Sequence, residues 1–144
     1  MLKKRNPQFS AMPTNDKVAL IVAMLEEKKA RGVVAFDIHG LSPFTDATIV
    51  AGAGSVRHAQ SLADQVRLLC KEHNFENLRT EGYQAGQWIL VDLNDILVNI
   101  FLPETREQYR LESLWTGCDA KILHDARSES ETAATSTNFD DDEF

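Results

Sequence analysis

The sequence predicts an α/β sandwich, of the α+β kind, in which helices pack on a mixed sheet of about five strands. Segments with helical periodicity alternate with short β-branched segments. Two late strands are separated by only three residues, so they form a hairpin and run antiparallel. The chain has 144 residues, of which 43% are hydrophobic and 26% charged, and is therefore long enough to bury a core of its own.

A first helix is expected to begin at Thr14 or Asn15, which can cap its N-terminus, and to run to about Arg31. Its apolar residues fall on one helical face: Val18, Ile21, Val22 and Leu25. Apolar runs rich in β-branched residues then predict buried strands over residues 33–38 and 47–51. These two strands precede a second helix.

The second helix has the clearest helical spacing in the chain. Ser55 is placed to cap it, and Cys70 lies on its apolar stripe, so we expect this cysteine in the core. The preceding Gly52-Ala53-Gly54-Ser55 could cradle a phosphate or form a tight strand-to-helix turn. Because it lacks both the GxGxxG spacing and a GK[ST] ending, the turn is favoured.

The second half of the chain predicts three strands and a helix. Residues 78–81 form a short edge strand, and residues 88–92 and 96–101 form the hairpin. Pro103 suits the first turn of a final helix. The apolar residues of that helix would pack back on the sheet: Leu111, Leu114 and Trp115. The predicted element order is α-β-β-α-β-β-β-α.

The ends of the chain differ from its middle. Residues 1–13 read as a flexible N-terminal arm and residues 14–120 as the folded domain. Residues 121–144 carry seven acids against Lys121 and Arg127, and they read as an acidic, disordered C-terminal tail. The formal net charge is −7, with no basic stripe along the domain. The acidic charge and the lack of a basic stripe argue against binding to the phosphates of duplex nucleic acid, and they permit a basic protein partner.

The sequence contains few signals for a cellular compartment or for catalytic chemistry. No apolar run is long enough for a membrane span, and two cysteines are too few for a disulfide framework, so a reducing cytoplasm is expected. The four histidines lack metal-ligand spacing. A nucleotidyltransferase site would need paired carboxylates on a strand after Gly54-Ser55, and none follow at a usable distance. We therefore expect no catalytic residues, metal or cofactor.

Two local features point to a binding surface instead. Arg57 and His58 lie in the first helical turn, where the helix dipole disfavours cations, so they are either simply exposed or meet a partner or a neighbouring carboxylate. Trp88, Leu90 and Asp92 share one strand face. If no helix covers that face, Trp88 is a candidate interface anchor; otherwise it belongs to the core.

Two segments carry a resemblance to a known family: DIHGLSPFTDATIVAGAGSVRHAQSLADQV and EGYQAGQWILVDLNDILVNIFLPETREQYRLESLW. Together they resemble the ribosomal silencing factor family, also called the Iojap family, over about residues 16–116. Several separated features agree with the family pattern: Asp46, Ser55-x-Arg57-His58, Glu81-Gly82, Trp88, Asp92, Arg106-x-x-Tyr109, Leu111-Glu112 and Leu114-Trp115.

The resemblance implies a fold similar to nucleotidyltransferases without their catalytic carboxylates, and a role that is not enzymatic. Family members bind the large ribosomal subunit through the large-subunit ribosomal protein numbered fourteen, where the small subunit docks. They thereby block subunit joining and lower translation when nutrients run short, and organellar members assist large-subunit assembly.

The resemblance also implies a set of partner-binding residues. Trp88 and Asp92 match the strand that faces the ribosomal partner, with Trp88 making an apolar contact and Asp92 meeting basic side chains. Arg106 and Tyr109 match the following motif, with Arg106 either a contact or an internal clamp. Asn99 stands where the family often has His. The family's usual Thr-Gly-Thr-Ser-Ser-Arg-His is replaced by Gly52-Ala53-Gly54-Ser55-Val56-Arg57-His58, which keeps the final Arg57 and His58.

Two alternative functions stay open. One is a nucleotidyltransferase-like enzyme that turns over nucleotides with Mg²⁺. The other is a self-associating module whose open sheet is buried in a homodimer. Neither sequence-specific nucleic acid binding nor membrane binding is expected.

Overall fold

The structure, a computed structural model, describes residues 9–127. Within them a six-stranded sheet is combined with four helices, and their bounds in chain order are α1 (Thr14–Glu27), β1 (Arg31–Asp37), β2 (Ala47–Gly52), α2 (Val56–His73), β3 (Arg79–Glu81), β4 (Trp88–Asp92), β5 (Ile96–Phe101), α3 (Pro103–Tyr109), α4 (Leu111–Gly117) and β6 (Lys121–Asp125).

The strands are arranged in the order β3-β4-β5-β2-β1-β6. β2 and β5 run parallel, and every other neighbouring pair runs antiparallel, including the predicted β4–β5 hairpin. The prediction of a mixed sheet with helices packed on it is confirmed. The sheet has one strand more than the five that the sequence suggested.

The two long helices, α1 and α2, pack on the same face of the sheet. Their apolar stripes meet alternate residues of the strands, such as Ile49, Val91 and Ile100, all of which are fully buried. Cys70 is buried on this side, as its place on the stripe predicts. Burial of this apolar area is the main contribution to the stability of the fold.

The opposite side of the sheet, here called the outer face, is covered only in part. Trp115 of α4 and Ala120 pack over Val34, Phe36 and Ile38, on the β1 side of the sheet. On the β4–β5 half, Trp88, Leu90 and Leu97 stay partly exposed. The outer face is therefore covered on its β1–β6 side and open on its β4–β5 side.

The helix boundaries differ from the prediction in three places. α1 ends at Glu27, and Arg31 begins β1. Pro13 holds the N-cap position, and the Thr14 hydroxyl donates to Asp95 instead of capping the helix. The final helix is interrupted at Arg110, whose φ of 46° ends α3 and begins α4. Pro103 begins α3 as expected.

The expected tail is wrong over its first residues. Residues 121–125 form β6, which pairs antiparallel with β1, so the folded unit extends past residue 120. Isolated from β1, this segment has too little apolar alternation to be recognised as a strand. Residues 128–144 lie outside the described part of the chain.

The expected arm is also partly folded. The Ser10 amide donates to the Asn74 carbonyl at 2.9 Å, and Met12 packs against the core. Residues 1–8 lie outside the described part of the chain. Within residues 9–127, none of the helices combines the length and apolar composition needed to cross a bilayer.

Candidate functional site

The open half of the outer face is built from the β4–β5 hairpin. The cross-strand pairs on this side are Trp88 with Phe101, Leu90 with Asn99, and Asp92 with Leu97. The intervening residues Ile89 and Val91 are fully buried against the helices. Period-2 alternation alone therefore places the Trp88 side chain on the outer face.

Trp88 is oriented by three neighbours. Its indole Nε1 donates to the Asn99 Oδ1 at 3.1 Å. Its ring lies 4.8 Å from the Phe101 ring and 5.1 Å from the Tyr109 ring, centroid to centroid. Phe101 is fully buried, whereas Tyr109 is 55% exposed. Trp88 is thus a partly exposed aromatic whose ring plane is held by these three contacts.

Asn99 is the buried polar centre of this half of the sheet, with 3% of its surface exposed. Its amide nitrogen donates to Thr48 Oγ1 at 3.2 Å and to the Ile49 carbonyl at 3.3 Å. With Trp88 on its oxygen, the side chain is bonded at both ends. Asn99 therefore holds the exposed Trp88 side chain in place and, being buried, has little access to a partner itself.

Asp92 is also engaged within the chain. Its Oδ1 accepts from the Asn94 amide at 2.8 Å, which closes the hairpin turn. Its Oδ2 lies 3.6 Å from Arg79 Nε, and 13% of the side chain is exposed. The geometry is that of a turn-stabilising carboxylate.

Arg106 adopts the internal clamp that the sequence left as one of two options. Its Nε donates to Glu112 Oε2 at 2.9 Å. Its two terminal nitrogens donate to the carbonyls of Arg31 and Gly32, at 3.1 and 2.6 Å. One guanidinium thus joins α3, α4 and the start of β1.

Arg57 and His58 have different surroundings, although they are adjacent in sequence. Arg57 is exposed and forms no ion pair with any residue of the described range. His58 accepts at Nδ1 from the Gly54 amide at 3.1 Å, and its Nε2 lies 3.0 Å from the Lys28 carbonyl. His58 therefore ties the start of α2 to the end of α1.

The glycine-rich segment before α2 is a tight strand-to-helix turn. The Ser55 hydroxyl accepts from the His58 amide at 3.1 Å, which confirms the predicted cap. The Arg31 guanidinium lies against Gly54, so closely that a Cβ there would be 2.9 Å from Nη2. Among residues 9–127, no group of three His, Cys, Asp or Glu side chains is placed to hold a metal ion.

The structure adds residues that sequence reasoning did not select. Leu90, which the sequence placed on the Trp88 face without selecting it as a contact, is partly exposed. Leu97 is partly exposed farther along the same face, opposite Asp92, and the alternation of β5 through Asn99 was the signal that could have identified it. We call the set Trp88, Leu90, Leu97 and Tyr109 the apolar patch. Phe44 is 82% exposed as well, but it lies in the β1–β2 loop, at the opposite end of the sheet.

Comparison with protein families gives one match that covers most of the chain. Residues 11–143 match the family described as "Ribosomal silencing factor during starvation". The chain is 33% identical over 104 residues to a ribosomal silencing factor of Halalkalibacterium halodurans, covering 72% of this chain and 89% of that protein. It is 36% identical over 98 residues to one of Haemophilus influenzae, covering 68% and 96%.

The chain is also similar to a more distant relative and to two crystal structures. The mouse mitochondrial assembly of ribosomal large subunit protein 1 is 28% identical over 104 residues, covering 69% of this chain and 45% of that protein. A crystal structure from Chromobacterium violaceum superimposes with a TM-score of 0.70 at 31% identity, covering 73% of this chain and 88% of that one. One from Bacillus halodurans gives 0.66 at 30%, covering 77% and 99%.

Proposed function

Because the chain belongs to the ribosomal silencing factor family, we propose that it binds the large ribosomal subunit and sterically blocks joining of the small subunit. Translation then falls when nutrients are limiting. The family description names starvation, which supports a role when nutrients are limiting. The mouse relative is named for assembly of the large ribosomal subunit, which supports binding to that subunit and a further role in its biogenesis.

The observation that carries this proposal is the apolar patch on the open half of the outer face. Trp88 presents an aromatic edge whose ring plane is held by Asn99, Phe101 and Tyr109. A partly exposed tryptophan that is already ordered loses little conformational entropy on binding, and tryptophan is enriched among residues that dominate interface energetics. The patch therefore suits a protein partner.

The proposed partner on the large subunit is its ribosomal protein numbered fourteen, a basic protein surface. A net charge of −7 favours encounter with a basic surface over long distances. Direct contact is assigned mainly to Trp88 and Tyr109, since Asp92, Asn99 and Arg106 are committed to bonds within the chain. These three act as supports of the patch.

The proposed activity needs no chemical step. Occupation of a docking face is sufficient to exclude the small subunit, and the site of action is the cytoplasm, where the subunits meet. Arg31 and His58 contact Gly54 in the turn before α2, and no carboxylate lies in the first turn of that helix. On this proposal, the described residues act as a surface for binding.

A subunit-joining assay tests the proposal. Purified large subunits are incubated with the chain, small subunits are added, and joined ribosomes are measured by sedimentation. We expect the chain to sediment with large subunits and to reduce the joined fraction. Trp88→Ala should weaken binding by about 30-fold or more, corresponding to about 2 kcal/mol for an interface anchor.

The matched control is Leu68→Ala, which removes a 46% exposed apolar side chain from α2, on the other side of the sheet. This variant should bind as the parent does. Absence of the chain from the large-subunit fraction would reject the proposed function. Equal binding by the Trp88→Ala variant would reject the apolar patch as the contact.

A homodimer would cover the same patch, so self-association is proposed as a competing state of the free chain. Sedimentation equilibrium over a range of concentrations measures it. Trp88→Ala is expected to weaken the dimer as well as the ribosome complex, whereas a dimer that resists this substitution uses another surface.

A further inference from the structure

Lysine and arginine side chains in the described range are unevenly paired. Residues 9–127 contain 12 of them, and five form ion pairs with carboxylates: Lys17, Arg79, Arg106, Arg110 and Arg127. Four of the other seven lie where the end of α1 and the start of β1 meet the first turn of α2. We call these four the basic patch: Lys28, Lys29, Arg31 and Arg57.

Contacts between three segments bring the basic patch together. The His58 ring spans from the Gly54 amide to the Lys28 carbonyl, at 3.1 and 3.0 Å. Because Nδ1 accepts the amide proton, the ring donates to that carbonyl from Nε2. The Arg31 guanidinium lies against Gly54, at the entry to α2. Lysines that follow α1 are thereby placed beside cations from β1 and α2.

The basic patch has few counter-charges. None of its four side chains forms an ion pair or a side-chain hydrogen bond within residues 9–127, and the first turn of α2 contains no acid. Of the acids that share a cavity with Arg31, Glu26, Glu107 and Glu112 are already paired with His124, Arg110 and Arg106. Glu27 and Glu72 line a cavity with Lys28 and are the carboxylates left near the patch. Like charges grouped on one surface repel one another, so an anionic partner gains affinity by relieving that repulsion.

The basic patch lies at the same end of the sheet as Trp88. Arg31 pairs with Gly52, Gly52 with Phe101, and Phe101 with Trp88, so a single row crosses β1, β2, β5 and β4. Three spacings of about 4.8 Å put the backbones of Arg31 and Trp88 roughly 14 Å apart. A large partner seated on the apolar patch therefore lies within reach of the basic patch.

We propose that the basic patch binds phosphate groups of the large-subunit RNA, beside the protein contact made by the apolar patch. This inference rests on the proposed function, since the large subunit is what brings RNA phosphates to this surface. Lysine and arginine contacts to phosphate supply affinity without reading base sequence. The chain thus binds a protein and an RNA backbone at adjacent places.

Salt dependence of binding to purified large subunits tests the inference. The double variant Lys28→Gln, Arg57→Gln removes two charges from the basic patch. The control Arg67→Gln, Lys71→Gln removes two exposed charges farther along α2, with the same change in net charge. At about 0.1 M salt, the first variant should bind about tenfold or more weakly. Its slope of log affinity against log salt should fall by about one per lost phosphate contact.

The control variant should keep the affinity and salt slope of the parent chain. Equal behaviour of the two double variants would overturn the inference while leaving the proposed function intact, whereas a parent chain that does not bind large subunits would remove both. Ultraviolet cross-linking of the complex provides a second measurement. Nucleotide adducts are expected on residues 28–31 and 55–58. Cross-links from these residues to ribosomal protein alone would overturn the assignment to RNA.

Discussion

The indole nitrogen of Trp88 donates a 3.1 Å hydrogen bond to the side-chain oxygen of Asn99, on the neighbouring strand. Asn99 in turn donates to Thr48 and to the Ile49 carbonyl. Every polar end of this side chain is bonded, and it is almost fully buried. The orientation of the exposed tryptophan edge is therefore set from inside the sheet.

Asn99→Ala tests this support. The substitution leaves the Thr48 hydroxyl and the Trp88 nitrogen without their amide partner, so the free energy of unfolding should fall by about 1–3 kcal/mol. Trp88 emission should also shift, because the indole loses its buried acceptor. Urea unfolding and fluorescence in a Trp115→Phe background measure the two effects.

Thr48→Val is the matched control, since it removes a partner of Asn99 without touching the Trp88 hydrogen bond. It should destabilise the chain and leave the emission of Trp88 nearly unchanged. If both variants shift the emission equally, Asn99 does not orient the indole.

Arg106 is predicted to stabilise the chain through its guanidinium geometry. Arg106→Met leaves the buried Glu112 with only the longer contact to Arg127, at 3.9 Å, and frees the carbonyls of Arg31 and Gly32. A loss of up to about 3 kcal/mol of unfolding free energy is therefore expected. Arg106→Lys should be nearly as unstable as Arg106→Met, because a lysine ammonium cannot donate in several fixed directions as the planar guanidinium does. Thermal or urea unfolding measures both.

Arg110→Met is the control for Arg106. Arg110 pairs with Glu107 at the surface, where both side chains are mostly exposed. Exposed pairs contribute about 0–1 kcal/mol, so this variant should unfold nearly as the parent does. Similar losses at positions 106 and 110 would contradict the clamp.

Gly82 is predicted to be required for the connection that precedes Trp88. Its φ is 78°, and a Cβ there would lie 2.2 Å from the Trp88 carbonyl oxygen. Gly82→Ala should therefore cost more than about 1 kcal/mol of unfolding free energy and weaken large-subunit binding. Gly117→Ala should be nearly neutral, since a Cβ there meets nothing within 4 Å. Equal stability of the two variants would show that the backbone at Gly82 can relax.

The two cysteines should differ in reactivity. Burial raises the pKa of the Cys70 thiol to about 11, so it remains protonated at pH 8, whereas Cys118 is exposed. A thiol reagent at pH 8 should modify Cys118 quickly and Cys70 only when the chain unfolds. Cys118→Ser should remove the fast phase; a fast phase that persists would place Cys70 at the surface.

The same thiol has a consequence for stability. Its folded pKa lies above the ordinary value of 9.0, so the protonated form favours the folded state below pH 9. This contribution is lost as the pH rises from 9 toward 11. The difference in unfolding free energy between the parent and Cys70→Ala should shrink over that interval, and a constant difference would contradict the assigned pKa.

Local patterns in the sequence were sufficient for much of the fold. The stripe through Cys70 and the cap at Ser55 located α2, and the short link between two apolar runs located the hairpin. Alternation in β4 placed Trp88 and Asp92 on one face. Each of these signals is read within a few residues, which is why a single sequence contains it.

Other features depend on contacts between distant segments. Residues 121–125 form a strand because they pair with the edge of β1. Arg106 joins the helices to the sheet because α3 packs beside the start of β1. The basic patch joins Lys28 and Arg57 through the ring of His58, which no spacing along the chain reveals.

The sequence by itself thus determined the type of most elements, the core faces and the family, because periodicity and composition act locally. Only the tertiary structure decided which half of the outer face stays open. It also decided which polar side chains are already bonded, because hydrogen-bond partners and helix coverage come from residues far apart along the chain.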